Sequence, residues 1–364
     1  GVWIMAYTTI DDPSEYFQTK IYTGNATDDT AYTNDGNSNL QPDLIWAKNR
    51  DQTVDHVWFD STRGVTKNVR SNTTSQESTN SNYLKSFDSN GFTMGTSNRV
   101  NGNTDKMVAW QWKANGGSRT TFTESGDNPG GGYQANTTAG FSIVDYTGTG
   151  GAGTVSHGLG AEPKVLIVKN RDAATDWAVY HRNASSAGND SYLELNTTDA
   201  VATAGTVWND TSPSSSVFTV GTNTKTNTDG EKYIAYCLTP IQGYSKFGKF
   251  EGNGNADGTF VYTGFKPAWT MIKNIETNGY NWVIQDTERF GGINSGATDK
   301  NLAANSTSAE PSSGSFAGNQ IDYLSNGFKL RSNAGNTNAS QSYIYLAFAE
   351  HPFVSSKGVP TTAR

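Results

Sequence analysis

The stretch Asp43-Leu44-Ile45-Trp46-Ala47-Lys48-Asn49, DLIWAKN, decides the fold because it returns twice, as KVLIVKN at residues 164–170 and AWTMIKN at residues 268–274. Apolar side chains fall on both parities of each stretch, unlike the alternation of a strand with one wet face. A strand of this kind is buried on both sides and central in its sheet. A proline stands ahead of each lysine, pairing Pro42 with Lys48, Pro163 with Lys169 and Pro267 with Lys273, where it removes a ladder donor only at the strand's edge. The three lysines share the parity of Leu44/Trp46, Val165/Ile167 and Trp269/Met271. Their stems are expected to pack on aromatic surface, with the ammonium groups emerging at the strand end or meeting a carboxylate.

Working outward from these stretches, further features recur in the same order. Each copy begins with an aromatic-x-Gly turn: Tyr22-Thr23-Gly24, Tyr146-Thr147-Gly148 and Phe250-Glu251-Gly252. After the lysine come HVWFDSTR (56–63), WAVYHRN (177–183) and WVIQDTER (282–289), then GFTMG (91–95), VFTVG (217–221) and GFKLR (327–331). An aromatic-rich strand closes each copy: MVAWQW (107–112), YIAYCL (233–238) and YIYLAF (343–348). Asp60-x-x-Arg63 and Asp286-x-x-Arg289 match, whereas the second copy has His181 at the aspartate position. A turn closed by a carboxylate and a guanidinium accounts for that pair.

The repeat is about 100 residues long, the size of a β-sandwich and well above a solenoid repeat. The fold expected is all-β, with three tandem antiparallel β-sandwich domains of jelly-roll or lectin-like type, each holding its own core. The boundaries are an N-terminal docking segment (1–18), repeat one (19–114), a glycine-rich flexible linker (115–140), repeat two (141–240), repeat three (241–354) and a C-terminal tail (355–364). The tail is expected to be loose or to reach a neighbouring subunit. In the first segment, Asp12-Pro13-Ser14-Glu15 carries the capping residue and N1 proline of a short helix.

Composition narrows the function classes. Of 364 residues, 34% are hydrophobic and only 17% charged, while aromatics reach 12% and glycine numbers 39. Disordered chains lack such aromatics, helical bundles are richer in helix formers, and membrane spans need long apolar runs. A net charge of −7 with no basic stripe argues against nucleic acid as a partner. One cysteine, Cys237, leaves no intramolecular disulfide framework, and His56, His157, His181 and His351 lie too far apart for a metal motif. No targeting segment or membrane span is visible, yet the composition is that of an exterior protein, so the chain reads as made in a cytosol and used outside it.

Catalytic constellations are sought without success, and no cofactor, metal or catalytic residue is assigned. Gly148-Thr149-Gly150-Gly151-Ala152-Gly153 fits GxGxxG, but no helix follows to aim at a pyrophosphate. Loops Asn34-Asp35-Gly36-Asn37 and Asn255-Ala256-Asp257-Gly258 lack a full calcium ligand set and read as turns. The triplets at Asn72, Asn196 and Asn305 would accept glycans only in a secreted eukaryotic protein. Sugar binding has a better physical case, because flat aromatics stack on pyranose faces. The candidates are Trp58, Tyr133, Tyr192, Trp208 and Tyr280, with Tyr83 and Tyr323 beside them, and Trp208 in TVWNDTSPSSS is expected to be the most exposed.

The wording AYTTIDDPSEYFQTKIYTGN (6–25), LQPDLIWAKNRD (40–51), FVYTGFKPAWTMIKN (260–274) and YIYLAFAEHPF (343–353) resembles a family of tandem-repeat proteins from marine bacteriophages, over almost the whole chain. The residues before Met5 stand ahead of that family's usual start. The resemblance implies a virion structural protein and supplies no catalytic residues. The expected function is therefore a non-enzymatic component of the particle exterior, a capsid decoration, fibre or tail part, assembled in the bacterial host cytoplasm. Its partners would be other virion proteins and further copies of itself, with host surface glycans as ligands of an alternative receptor-binding role. A capsule- or lipopolysaccharide-degrading enzyme is the remote alternative, which requires a groove with two carboxylates at glycosidase spacing.

Overall fold

The computed structural model describes residues 6–184, 189–290, 300–310 and 319–361. The chain is all-β: its strands form several antiparallel sheets, none closed, and the helices among the described residues run to four residues at most, as in Asn98–Asn101 and Gly205–Trp208.

Each copy of the repeat builds the same main sheet. An opening strand (Phe17–Thr23, Phe141–Thr147, Ser245–Glu251) pairs with the closing strand (Lys106–Trp112, Lys232–Leu238, Ser342–Pro352). The closing strand pairs in turn with the proline-led strand (Leu44–Asn49, Val165–Asn170, Phe265–Asn274), and that strand with a flanking strand (Val57–Asp60, Ala178–His181, Val283–Asp286). Registers correspond, with Trp46 opposite Trp110, Ile167 opposite Tyr236 and Met271 opposite Leu346. A smaller sheet covers one face of each main sheet. It contains Thr30–Thr33, Gly91–Met94 and Leu84–Asp88 in copy one, Gly153–Ser156 and Val217–Val220 in copy two, and Phe260–Tyr262, Gly327–Leu330 and Ile321–Leu324 in copy three.

The proline-led strand is central and buried on both sides, and the two sides face different things. Ile45 and Ala47, Leu166 and Val168, and Ile272 pack under the smaller sheet of their own copy. On the opposite face Leu44 and Trp46, Val165 and Ile167, and Trp269 and Met271 enter one core common to all three copies. The closing strands join them there with Val108, Trp110 and Trp112, Ile234, Tyr236 and Leu238, and Ile344, Leu346 and Phe348. Each copy therefore holds a core of its own, as expected, and surrenders its other face to a fourth core that needs the other two. Trp46 touches Trp110 at 5.4 Å and Trp269 of copy three at 6.5 Å, while Trp58 touches Trp177 and Tyr236 of copy two at 5.2 and 5.0 Å between ring centroids.

The connecting segments differ from expectation. Residues 115–140, read as a flexible joint, form the strands Thr120–Phe122 and Gly130–Asn136, which extend the main sheet of copy two beyond its opening strand. Three consecutive glycines, Gly130 to Gly132, do this because Gly131 lies against the Asp145 carbonyl, where a Cβ would come within 2.1 Å. The first segment makes a 3-10 turn, Pro13–Glu15, capped by Asp12, and it docks on its own chain: Thr8 bonds the Gln242 carbonyl and Tyr16 meets Tyr244. The tail turns back, with Val354 bridging Pro360 and Ser356 bonding Asp11. The aromatic-x-Gly turns need glycine for close approach, since a Cβ on Gly24, Gly148 or Gly252 would stand 2.0 to 2.3 Å from a carbonyl oxygen.

A common core predicts common unfolding. Trp46→Ala is expected to cost about 3–5 kcal/mol and to move the unfolding of the whole chain as a single transition, followed in urea by tryptophan fluorescence and far-ultraviolet circular dichroism. Separate transitions for the three copies would contradict the shared core.

Candidate functional site

The recurring polar residues are the first candidates, and the geometry shows where their chemistry goes. Between copies one and two, buried Asp60 holds Arg63 at 2.5 Å and accepts from the Tyr236 hydroxyl at 2.8 Å, while Glu77 binds Arg171 at 2.9 Å. Between copies three and one the same arrangement recurs: Asp286 holds Arg289 at 2.5 Å and accepts from Trp110 Nε1 at 2.9 Å, while Glu310 binds Arg50 at 2.6 Å. The third contact keeps only the backbone part. The Val201 amide donates to the Ile275 carbonyl, as Glu77 does to Arg171 and Glu310 to Arg50, and His181 stands in for the aspartate. The contacts run in one sense from copy to copy, which closes a ring of three within one chain.

The Lys-Asn pairs are equally committed. Lys48, Lys169 and Lys273 are fully buried and do not emerge at the strand end as expected. Their partners are backbone carbonyls: Asn49 and Gln52 for Lys48, Thr74 and Thr175 for Lys169, Thr198 and Tyr280 for Lys273. Thr74 belongs to copy one and Thr198 to copy two, so two of the lysines also bridge copies. Burial lowers each ammonium to about 8, against a smaller opposing pull from Asp55 and Glu310, Asp176, or Asp199 respectively. Each asparagine accepts from the backbone N–H groups two and three residues ahead and donates to a loop carbonyl, fixing the turn after the strand.

Asn72, Asn196 and Asn305 are a further repeat marker, missed as such in the sequence although each sits in an Asn-x-Ser/Thr triplet. Their side-chain carbonyls accept from the backbone of His56, Trp177 and Trp282, and their amides donate to Asp55, Asp176 and Asn281. The amides are occupied by the fold. Trp177 then donates to the Arg70 carbonyl and Trp282 to the Glu194 carbonyl, each in the preceding copy.

The aromatic candidates separate. Trp58 is 2% exposed and Trp208 1%, so neither can stack on a ligand. Strand parity turns Trp58 into the shared core, and the short helix Gly205–Trp208 tucks Trp208 against Tyr180 despite its polar neighbours. Tyr83 and Tyr323 are buried too, Tyr323 donating to the Gln285 carbonyl. Tyr133, Tyr192 and Tyr280 are half-buried: Tyr133 lies against Phe122, Tyr192 carries the Lys225 ammonium 5.6 Å from its ring, and Tyr280 covers Gly335. The five proposed rings are not gathered at one place. Two side chains that escaped the sequence reading are better exposed, Phe260 at 44% and Tyr262 at 49%, and beside them half-buried Tyr7 has its hydroxyl 3.4 Å from that of Tyr262.

A cleft of about 410 Å³ between the first segment and copy three gathers Asp12, Asp35, Glu288, Glu350 and His351. Burial raises the Glu288 carboxyl, helped by Asp286, Asp35 and Glu350. Burial also works to raise Asp12, but hydrogen bonds from Ser14 and Ser38 outweigh it and hold that group low. Those bonds occupy both Asp12 oxygens, Asp35 pairs with Lys20 at 2.9 Å and Glu350 with Lys266 at 2.8 Å. Asp12, Asp35 and Glu350 are thus capping and pairing groups, which leaves Glu288 as the cleft's one carboxyl raised by burial. Among the described residues no group of three His, Cys, Asp or Glu side chains is placed to hold a metal ion. The glycines of the GxGxxG match run into the strand Gly153–Ser156, with Gly151 and Gly153 packed on Asp127.

The model of a family described as Domain of unknown function (DUF7483) matches residues 12–352. No curated protein and no solved structure matches the chain.

The buried lysines predict an unusual pH dependence. They titrate near 8 in the folded state and near 10.4 when unfolded, so between those values the unfolded chain holds more protons and stability rises with pH. Unfolding free energy is expected to climb from pH 8 to 9.5 by up to about 1.4 kcal/mol per lysine per pH unit, and thermal midpoints to rise with it. Above that range buried Tyr146, Tyr236 and Tyr244, raised by burial, oppose the trend. The same titration of Lys169→Met should show a shallower climb; an unchanged slope would refute the assignment.

Proposed function

We propose that this chain, which belongs to the DUF7483 family of unknown function, is a non-enzymatic structural module of the exterior of a virus particle. It would serve as a capsid decoration, fibre or tail component, with other particle proteins and further copies of itself as partners. Each copy would be a small sandwich of jelly-roll or lectin-like type, its main sheet turned inward and its smaller sheet outward. One observation carries this reading. The repeated polar residues, which in an enzyme would be the first place to look for chemistry, are spent on fixing turns within each copy and on joining the three copies around one core. What remains accessible is outer sheet and loop, the surface a display protein offers to neighbours and ligands. The resemblance of AYTTIDDPSEYFQTKIYTGN and its companions to marine phage proteins gives that surface its setting.

A second reading, recognition of a surface polysaccharide, is favoured by the exposed rings of Phe260 and Tyr262. It adds to the first, since a protein present in many copies on a particle turns weak contacts into avidity.

Mass spectrometry of density-gradient-purified particles tests the location. The chain is expected in the particle fraction at a fixed stoichiometry to the major shell protein. Recovery only from the soluble supernatant would overturn it.

A further inference from the structure

The three copies provide an internal control for each position. In the smaller sheet of copy three, Phe260 pairs with Lys329 and Tyr262 with Gly327, while Val261 between them points into that copy's own core. Phe260 and Tyr262 therefore face outward together, roughly 7 Å apart along the strand. In copy one the corresponding residues, opposite Thr93 and Gly91, are Ala31 and Thr33; in copy two, opposite Thr219 and Val217, they are Thr154 and Ser156. Two copies build the same sheet with small side chains at these sites. Folding does not require aromatics there, yet copy three places two of them in solvent.

The surroundings fit a ligand with one apolar face and a polar periphery. Gly327 has no side chain beneath Phe260, where a Cβ would come within 3.1 Å of the ring, so the platform stays flat. Beyond Tyr262 opens a cavity of about 330 Å³, bounded by Tyr7, Gln242, Lys246 and Gly264. The Lys246 ammonium sits 5.0 Å from the Tyr262 ring centre and bonds the Tyr262 carbonyl at 2.8 Å, and Tyr7 bonds the Gly264 carbonyl at 2.7 Å. On the other flank Lys329 and Arg331 converge on Asp257, at 2.8 and 3.7 Å.

Size decides among occupants. An aromatic side chain buries about 150–250 Å² when fully covered, so two rings about half exposed offer on the order of 200 Å². A stable protein partner takes about 800 Å² per side. The platform is too small for a second copy of the chain and matches the face of a sugar ring, whose hydroxyls would meet the lysine, tyrosine and aspartate rim. We propose that Phe260 and Tyr262, with Tyr7 and Lys246 at their end, form a glycan-binding platform for hexose-based polysaccharide. It rests on the second reading above and is independent of where on a particle the protein sits.

Affinity electrophoresis of the full chain through gels containing mannan, dextran or alginate tests it. Retardation in at least one polysaccharide is expected. In Phe260→Ala/Tyr262→Ala the apparent affinity should fall at least tenfold, with the single unfolding transition retained because neither ring belongs to a hydrophobic core. Ala31→Phe, at the matching position of copy one and away from Tyr7 and Lys246, should leave the retardation as it was. Three results would overturn the proposal: no retardation in any of the gels, full retardation of the double variant, or sedimentation velocity showing a wild-type dimer that the double variant loses. A glycan-binding chain absent from purified particles would instead count against the location alone.

Discussion

Everything in this molecule depends on the contact of three sheet faces in one apolar core. Trp46, Ile167 and Met271 are the same position of the repeat, as are Trp110, Tyr236 and Leu346, and all six lie in that core. Their volumes differ widely, so the three copies could not exchange places without voids or clashes. Divergence within the repeat is thereby locked in: a large side chain in one copy is answered by smaller ones in its neighbours. Burying both faces of the main sheet also explains how a chain with few apolar residues can fold firmly, because those it has are used at the centre and almost fully covered.

A core of this kind sets a problem at its rim. Where two copies meet, strand ends and loops bring carbonyls and N–H groups out of water, and these must find partners. The Lys-Asn pair answers this twice over, the ammonium entering a cup of carbonyls and the amide pinning the turn. Two of the three contacts between copies add a buried Asp-Arg-Glu network. An ion pair in that setting is weak evidence for net stability, but loss of one partner is severe; its value here is in register, since Asp60 recognises Tyr236 and Asp286 recognises Trp110. The third contact does without the network, using Val201, Ile275 and a His181 held neutral by burial, which lowers it to about 4. A ring can close with one joint that has hydrogen bonds in place of an ion-pair network once the other two have fixed the order.

Much of this was legible in DLIWAKN and its two relatives. Apolar residues on both parities foretold a strand covered on both sides, and the flanking motifs marked the corresponding strands of each copy by their own recurrence. Periodicity reports that a face is buried and is silent on what buries it, so the shared core was not legible, and three separate cores were the natural reading. Composition misled in two places. SGDNPGGG looked like a joint, yet glycine is also the residue that lets a strand approach a neighbouring backbone, as at Gly131. Trp208 looked exposed because its neighbours in sequence are polar, whereas one turn of helix is enough to bury it. The sugar-binding candidates were chosen by residue type, and Trp58 shows the weakness of that choice: its strand parity with Trp46 already directed it inward.

The comparison of copies gives a better rule. Positions that keep one residue type in all three, such as the lysines and asparagines, answer a demand that all three folds make. Positions that vary inside the shared core answer one another. Only positions that vary on the outside are released from both demands, and there an aromatic side chain has no structural cause. Phe260 and Tyr262 are such positions, each matched in the other copies by alanine, serine or threonine. A fold that spends its inner faces on self-assembly has one kind of surface left on which to acquire a ligand, and in copy three the change lies on the sheet that faces away from the core.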